Sequence, residues 1–194
     1  MNTAKQTFFS LLLLLVSVAT LRAQAGQNNL NAYNAISAKV LSIDYGTLND
    51  LDDLGSSFGV ELAYRRQLGK YFGLAVPLKL GVIDVGELEN TNFAGIDLVG
   101  HIYPFGSNVK IAPYLLGGIG VVTESFDNSN SQIPLGLGFN IKLGENSFLG
   151  LQGEYRLSSQ EDRDNLQYGI GYTYRISSLD RDGDGIVDRQ DACP

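Results

Sequence analysis

The chain has 194 residues, a single Cys and no Trp, enough for one domain of ordinary size and a little more. Its formal net charge is −7, which excludes the basic footprint of a nucleic-acid binder. The lone Cys193 has no partner within the sequence, so an exported chain of this kind points to a pairing elsewhere and to continuation beyond residue 194.

Lys5 precedes an apolar run from Phe8 through Val18, and Ala23-Gln24-Ala25 offers small residues where a signal peptidase reads. Residues 1–25 are therefore expected to be a signal peptide, with cleavage before Gly26. No later stretch approaches the roughly 20 apolar residues of a spanning helix, so membrane residence of the mature chain would rest on strands.

From there, eight segments alternate apolar and polar residues with a period of two. Strand one, about Ile36 to Tyr45, fits worst: Lys39 shares parity with Leu41 and Ile43, which predicts a bulge or a lysine that snorkels to the interface. Strand two sets Phe58, Val60, Leu62 and Tyr64 outward against Gly59, Glu61, Ala63 and Arg65. Strand three sets Phe72, Leu74, Val76, Leu78, Leu80 and Val82 against Gly73, Ala75, Lys79 and Gly81. Strand four is weaker, with Ile96, Leu98 and Ile102 outward and Asp97 and His101 inward. Strand five, Val109 to Val122, is too rich in Gly and aliphatics for its facing to be assigned. Strand six is the cleanest, with Ile133, Leu135, Leu137, Phe139, Ile141 and Leu143 on one face. Strand seven sets Leu149, Leu151, Tyr155 and Leu157 against Gln152, Glu154 and Arg156. Strand eight sets Leu166, Tyr168, Ile170, Tyr172, Tyr174 and Ile176 against Gln167, Gly169, Gly171, Thr173 and Arg175.

Large apolar side chains opposite Gly, charge and amide suit a barrel with lipid outside and a polar lumen inside. A soluble ligand-binding barrel would place the large apolar residues within, and the many Gly of the polar face argue against it. Tight turns are expected at Leu68-Gly69-Lys70, Gly106-Ser107-Asn108 and Gly144-Glu145-Asn146. Long loops are expected from Gly46 to Ser57, Asp84 to Ala94, Thr123 to Ser131 and Ser158 to Asn165. Short turns then face the periplasm together with both barrel termini, and long loops face outward. Gln167, Gly169, Tyr172 and Tyr174 have the spacing of the insertion signal that the barrel-assembly machinery reads. Tyr45, Phe58, Tyr64, Phe72, Tyr155 and Tyr174 are candidates for the interfacial aromatic girdles.

The predicted inward set includes Glu61, Arg65, Lys79, Asp97, Lys142, Glu154, Arg156 and Arg175, both signs in near balance. Eight strands leave a lumen that side chains fill, so these charges are expected to pair into a plug, with a narrow gated pore as the alternative. Nothing suggests an enzyme: His101 is the only His, Tyr103 and not Ser follows it two residues on, and no His or Cys cluster offers a zinc site. The acidic loop residues Asp50, Asp52, Asp53, Glu87, Glu89, Glu161, Asp162 and Asp164 suit divalent-cation bridging to lipopolysaccharide, with a surface adhesin or receptor as the competing role.

After Leu179 the composition changes abruptly. Asp180, Asp182, Asp184, Asp188 and Asp191 stand at positions 1, 3, 5, 9 and 12 of a loop, Gly185 at the sharp turn and the Ile186 carbonyl at position 7, the ligand order of an EF-hand Ca²⁺ loop. A strand precedes this loop and Cys193-Pro194 follows, so it resembles a thrombospondin type 3 repeat and not a helix-flanked EF-hand. In such arrays the Cys of one repeat pairs with a Cys elsewhere.

The three parts, 1–25, 26–178 and 179–194, together resemble the amino-terminal portion of an OmpA-like outer-membrane protein of the Bacteroidetes type. That resemblance implies an all-β fold, an eight-stranded antiparallel transmembrane barrel with a short C-terminal Ca²⁺-binding segment. It further implies outer-membrane lipid as surroundings, and peptidoglycan as a partner only through a downstream domain that these residues do not contain.

Ca²⁺ should bind a peptide spanning Leu179 to Pro194 at about 10⁻⁴–10⁻³ M, the range of extracellular modules. Calorimetry reads this directly, and Asp184→Ala should abolish the uptake.

Overall fold

Period-two alternation becomes eight strands: β1 (Tyr33–Asp44), β2 (Ser57–Gln67), β3 (Phe72–Val85), β4 (Leu88–Ile102), β5 (Ile111–Glu124), β6 (Asn128–Lys142), β7 (Ser147–Ser158) and β8 (Asn165–Arg175). They come from a computed structural model that describes residues 32–49, 57–85, 88–124, 128–161 and 163–176. The expected leader and the carboxylate loop at 180–191 lie outside the described residues, as do Asp50, Asp52, Asp53, Glu87 and Asp162. A single helical turn, α1 (Gly46–Asn49), follows β1, where the Asp44 carboxylate accepts from Thr47 N at 3.1 Å and Thr47 Oγ1 at 2.6 Å.

Each strand pairs antiparallel with its sequence neighbour, and β1 pairs with β8, so the sheet closes. Closure leaves no unpaired edge, which is what allows strands to cross hydrocarbon. The partners Asn34, Arg66, Leu74, Gly100, Gly117, Leu135, Tyr155, Leu166 and Asp44 trace a path that returns to β1 ten residues beyond its start. That stagger tilts the strands and fixes a narrow bore.

Facing follows the sequence pattern on β2, β3, β4, β6, β7 and β8. Val60, Leu62, Leu80, Leu135, Leu137 and Ile170 all present large exposed apolar surfaces outward. Such a belt around the whole sheet is far larger than a water-soluble monomer tolerates. On β5, Ile111, Leu115, Ile119 and Val121 face outward, while Ala112, Tyr114, Leu116 and Val122 are buried. A lipocalin-like arrangement, with the large apolar residues inside, is contradicted by this facing.

Strand one corrects the expectation. Its pairing with β2 and β8 runs without a bulge, and Lys39 points into the lumen, buried, as do Leu41 and Ile43. The parity that looked like a misfit belongs to an inward face that is apolar at one end: Leu41, Ile43, Tyr45, Ile83, Phe93 and Val122 form a buried cluster. Tyr45 is therefore inside this cap and not in a girdle, whereas Phe58, Tyr64, Phe72 and Tyr174 are exposed on the outer surface.

The joints also differ from expectation. The stretches expected as loops from Asp84 to Ala94 and from Thr123 to Ser131 are largely drawn into the ladders β3–β4 and β5–β6, with Ile83 opposite Thr91 and Thr123 opposite Ser129. Backbone groups gain partners by extending a ladder that already exists, and Thr123 Oγ1 and Ser129 Oγ add a cross-strand contact at 2.9 Å. Conversely, the turn expected at Gly106-Ser107-Asn108 belongs to a longer joint over 103–110. There Gly106 takes φ 91°, a conformation that favours glycine, and Ser107 N donates to Lys70 O at 2.9 Å, tying the joint to its neighbour.

Leu137 lies mid-strand on the outer face, 55% exposed. Leu137→Arg should destabilise the barrel in lipid vesicles by about 2–4 kcal/mol, measured by urea unfolding, if the position sits at the bilayer midplane.

Candidate functional site

The inward faces meet in a lumen whose middle is charged. Lys39 enters from β1, Glu61 from β2, Lys79 from β3, Asp97 from β4, and Glu154 and Arg156 from β7, all buried. Three cations thus face three carboxylates. Arg156 holds Asp97 bidentately, Nη2 to Oδ1 at 2.7 Å and Nη1 to Oδ2 at 2.8 Å, and Nη1 also reaches Glu154 Oε1 at 2.9 Å. Lys39 Nζ donates to Glu61 Oε1 at 2.7 Å. Lys79 Nζ pairs with Glu154 and lies 3.6 Å from Asp97 and 3.8 Å from Glu61.

Amides complete the shell. Gln152 accepts from Lys39 at 2.7 Å and from the Tyr114 hydroxyl at 2.9 Å, while its own nitrogen donates to Glu154 at 3.0 Å. Gln132 accepts from Arg156 Nε at 2.6 Å, and Gln167 accepts from Lys79 at 2.9 Å. Sharing the two lysines and one arginine among several acceptors satisfies donors that would otherwise be stranded in a dry interior.

Of the eight residues read from the sequence as lumen charges, Glu61, Lys79, Asp97, Glu154 and Arg156 meet in this network. Arg65 and Arg175 are also buried in the lumen but stand apart among aromatic rings. Lys142 is only half-buried at the end of β6 and joins neither group. Lys39, Gln132, Gln152 and Gln167 complete the network, and strict parity along β1 was the signal for Lys39. His101 is buried between Tyr103 and Tyr114, its ring centroid 5.0 Å from that of Tyr114.

Glycines make the space. A Cβ on Gly120 would collide with the Asp97 carboxylate, one on Gly138 with the Tyr114 ring, and one on Gly171 with Lys39. These Gly–large pairings between adjacent strands are why the polar face is rich in Gly: the bore is too narrow for a side chain at every inward position. Two enclosed chambers of about 10 Å³ each, flanking Arg65, have room for about one water apiece.

The family profile described as "Outer membrane protein beta-barrel domain" matches residues 11–176. Among solved structures, the Neisserial surface protein A is similar with a TM-score of 0.59 and 10% identity, covering 74% of this chain and 97% of that one. The outer membrane protein OprG from Pseudomonas aeruginosa aligns with a TM-score of 0.57 and 14% identity over 76% of this chain and 97% of its own. Ail of Yersinia pestis in a phospholipid nanodisc gives 0.50 and 17% identity over 75% and 100%. At these identities the likeness is one of fold. No curated protein matches in sequence.

Gly120→Ala should displace the Asp97 carboxylate from Arg156 and lower stability by about 1–3 kcal/mol, the usual penalty of overpacking. Denaturant unfolding of the refolded barrel measures it, with Gly144→Ala, where a Cβ would meet only Ser147 at 3.8 Å, as the tolerant comparison for space.

Proposed function

The chain belongs to the outer membrane β-barrel family, and on that premise we propose that it is a sealed structural barrel of the bacterial outer membrane carrying a Ca²⁺-binding segment on its periplasmic side. The observation that carries the seal is the three-on-three charge network across the middle of the lumen. Its cations and carboxylates are matched in number, and removing one partner of a buried pair leaves an uncompensated charge, so conduction would require breaking interactions worth several kcal/mol. Above the network Leu41, Ile43, Tyr45, Ile83, Phe93 and Val122 form an apolar cluster, and at the same end Arg163 pairs with the buried Glu124 at 3.3 Å.

The stalk rests on sequence. Asp180, Asp182, Asp184, Asp188 and Asp191 with the Ile186 carbonyl follow β8 directly, so a Ca²⁺ there would stiffen the exit from the barrel. In a longer parent protein such a segment would connect the barrel to a peptidoglycan-binding domain and tether membrane to wall. The barrel termini share one end with the β2–β3, β4–β5 and β6–β7 joints, and this reading assigns that end to the periplasm.

A second reading, a narrow gated pore, draws on one feature. Lys79 lies within 4 Å of Glu154, Asp97 and Glu61, so it has alternative carboxylates to pair with if one contact opens.

Planar-bilayer recordings of residues 26 to 178 separate the two. The sealed barrel should give rare, small steps at most, and steady porin-like current would contradict it.

A further inference from the structure

The end of the barrel that carries both termini is electropositive. Lys70, Lys110 and Lys142 stand there, with the buried Arg65 and Arg175 just inside the lumen, and the one carboxylate of that end among the described residues is Glu145, exposed on the β6–β7 turn. The central network cannot neutralise this surplus, because its three cations already match its three carboxylates.

Two of these cations are set side by side. Lys142 closes β6 and Lys110 immediately precedes β5, and Lys142 N donates to Lys110 O at 2.8 Å, so they face one another as the next pair after Ile111 and Ile141. Both have the parity of the inward Ala112 and Asn140, which places them at the mouth of the lumen. Like charges directly opposite on paired strands repel. Among the described residues neither lysine has a carboxylate within 4 Å. Phe148 is the register partner of Lys142, and the Arg175 guanidinium lies 5.3 Å from that ring. Arg175 Nη2 donates to Asn108 Oδ1, on the joint that holds Lys110, at 3.4 Å, while its Nε and Nη1 are buried without a hydrogen-bond partner.

The chain itself supplies a complement. Beyond β8, Asp180, Asp182, Asp184, Asp188 and Asp191 outnumber Arg181 and Arg189, and this segment leaves from the same end. Lys142, Phe148 and Thr173 are successive register partners, so Lys142 stands two strand spacings, roughly 10 Å, from β8. The four residues from Ile176 to Asp180 span at most about 14 Å, which brings the first carboxylates within reach of the lysines. So short a tether makes the encounter intramolecular, and individually weak ion pairs then suffice.

We infer that the acidic segment docks across this mouth on Lys110 and Lys142, its first aspartates lying between the two ammonium groups. Docking needs only carboxylates, so it depends neither on Ca²⁺ uptake by the same residues nor on which side of the membrane this end faces. It relieves the repulsion between the lysines, offsets part of the surplus charge at the base of the lumen and fixes the direction in which the chain leaves the barrel.

The test uses residues 26–194 in phosphatidylcholine nanodiscs, at low salt with a chelator present. A carbodiimide joins a lysine amine to a carboxylate only where the two are in contact, and peptide mass spectrometry locates the links. Lys110 or Lys142 should be linked to Asp180, Asp182 or Asp184 about tenfold more than Lys70 is, once each yield is normalised to that lysine's own acetylation. Lys70 controls for mere proximity: it is exposed at the same end on the β2–β3 joint, and β2 lies as many strands from β8 on one side as β6 does on the other. Lys142→Gln, at the rim, should lower the Lys110 yield several-fold. Equal yields at Lys70 and Lys110 overturn the inference, as do a segment without links and a Lys110 yield that Lys142→Gln leaves unchanged. In that event, a preference for phosphatidylglycerol over phosphatidylcholine vesicles that Lys110→Gln abolishes gives the lysines to a lipid headgroup.

Discussion

A charge enclosed by an eight-stranded barrel in lipid has no solvent to retreat to. The stagger of ten residues leaves a bore that side chains fill, and the outer face belongs to hydrocarbon. An inward ammonium, guanidinium or carboxylate is most stable with its complement within a few ångströms, and the middle of the lumen follows from that demand. Arg156 grips Asp97 with two parallel bonds, the lysines are shared among carboxylates and glutamines, and glycines on neighbouring strands yield the room these long side chains need.

The lumen is consequently not uniform along its length. At the end joined to residues 45–56 an apolar cluster sits with the Glu124–Arg163 ion pair, in the middle the lumen is ionic and balanced, and toward the opposite end it is aromatic with two arginines in excess. An apolar cap above an ionic layer excludes water from the pairs and strengthens them, while the aromatic base offers ring faces to the guanidiniums. On the proposed reading of a sealed barrel, sealing and stability come from the same contacts.

Much of this was legible in the sequence because a period of two assigns faces without any knowledge of pairing. On β6 the alternation named the outward Ile133, Leu135, Leu137 and Phe139, and on β7 and β8 it named the inward Glu154, Arg156 and Gln167. It misled where the inward face is itself apolar. Lys39 beside Leu41 and Ile43 looked like a broken strand only because a polar lumen was assumed from end to end. Strand β5 resisted for the same reason, since Tyr114, Leu116 and Val122 point inward and Ile119 and Val121 outward, with no contrast in polarity between them. The longer ladders β3–β4 and β5–β6 were hidden because Thr, Ser and Asn serve equally in loops and in strands beyond the membrane. Which acid meets which base lay beyond any one strand's pattern, since it depends on register around the closed barrel.

The central claim is that buried charges on different strands stabilise one another and thereby close the bore. A double-mutant cycle on Asp97 and Arg156, with Asp97→Asn, Arg156→Met and the double variant unfolded from lipid vesicles, tests it most directly. Each single change should cost about 3–5 kcal/mol and the double change much less than their sum, because the second substitution removes the charge that the first left unpaired. Additive losses, with no coupling between the two positions, would contradict the account.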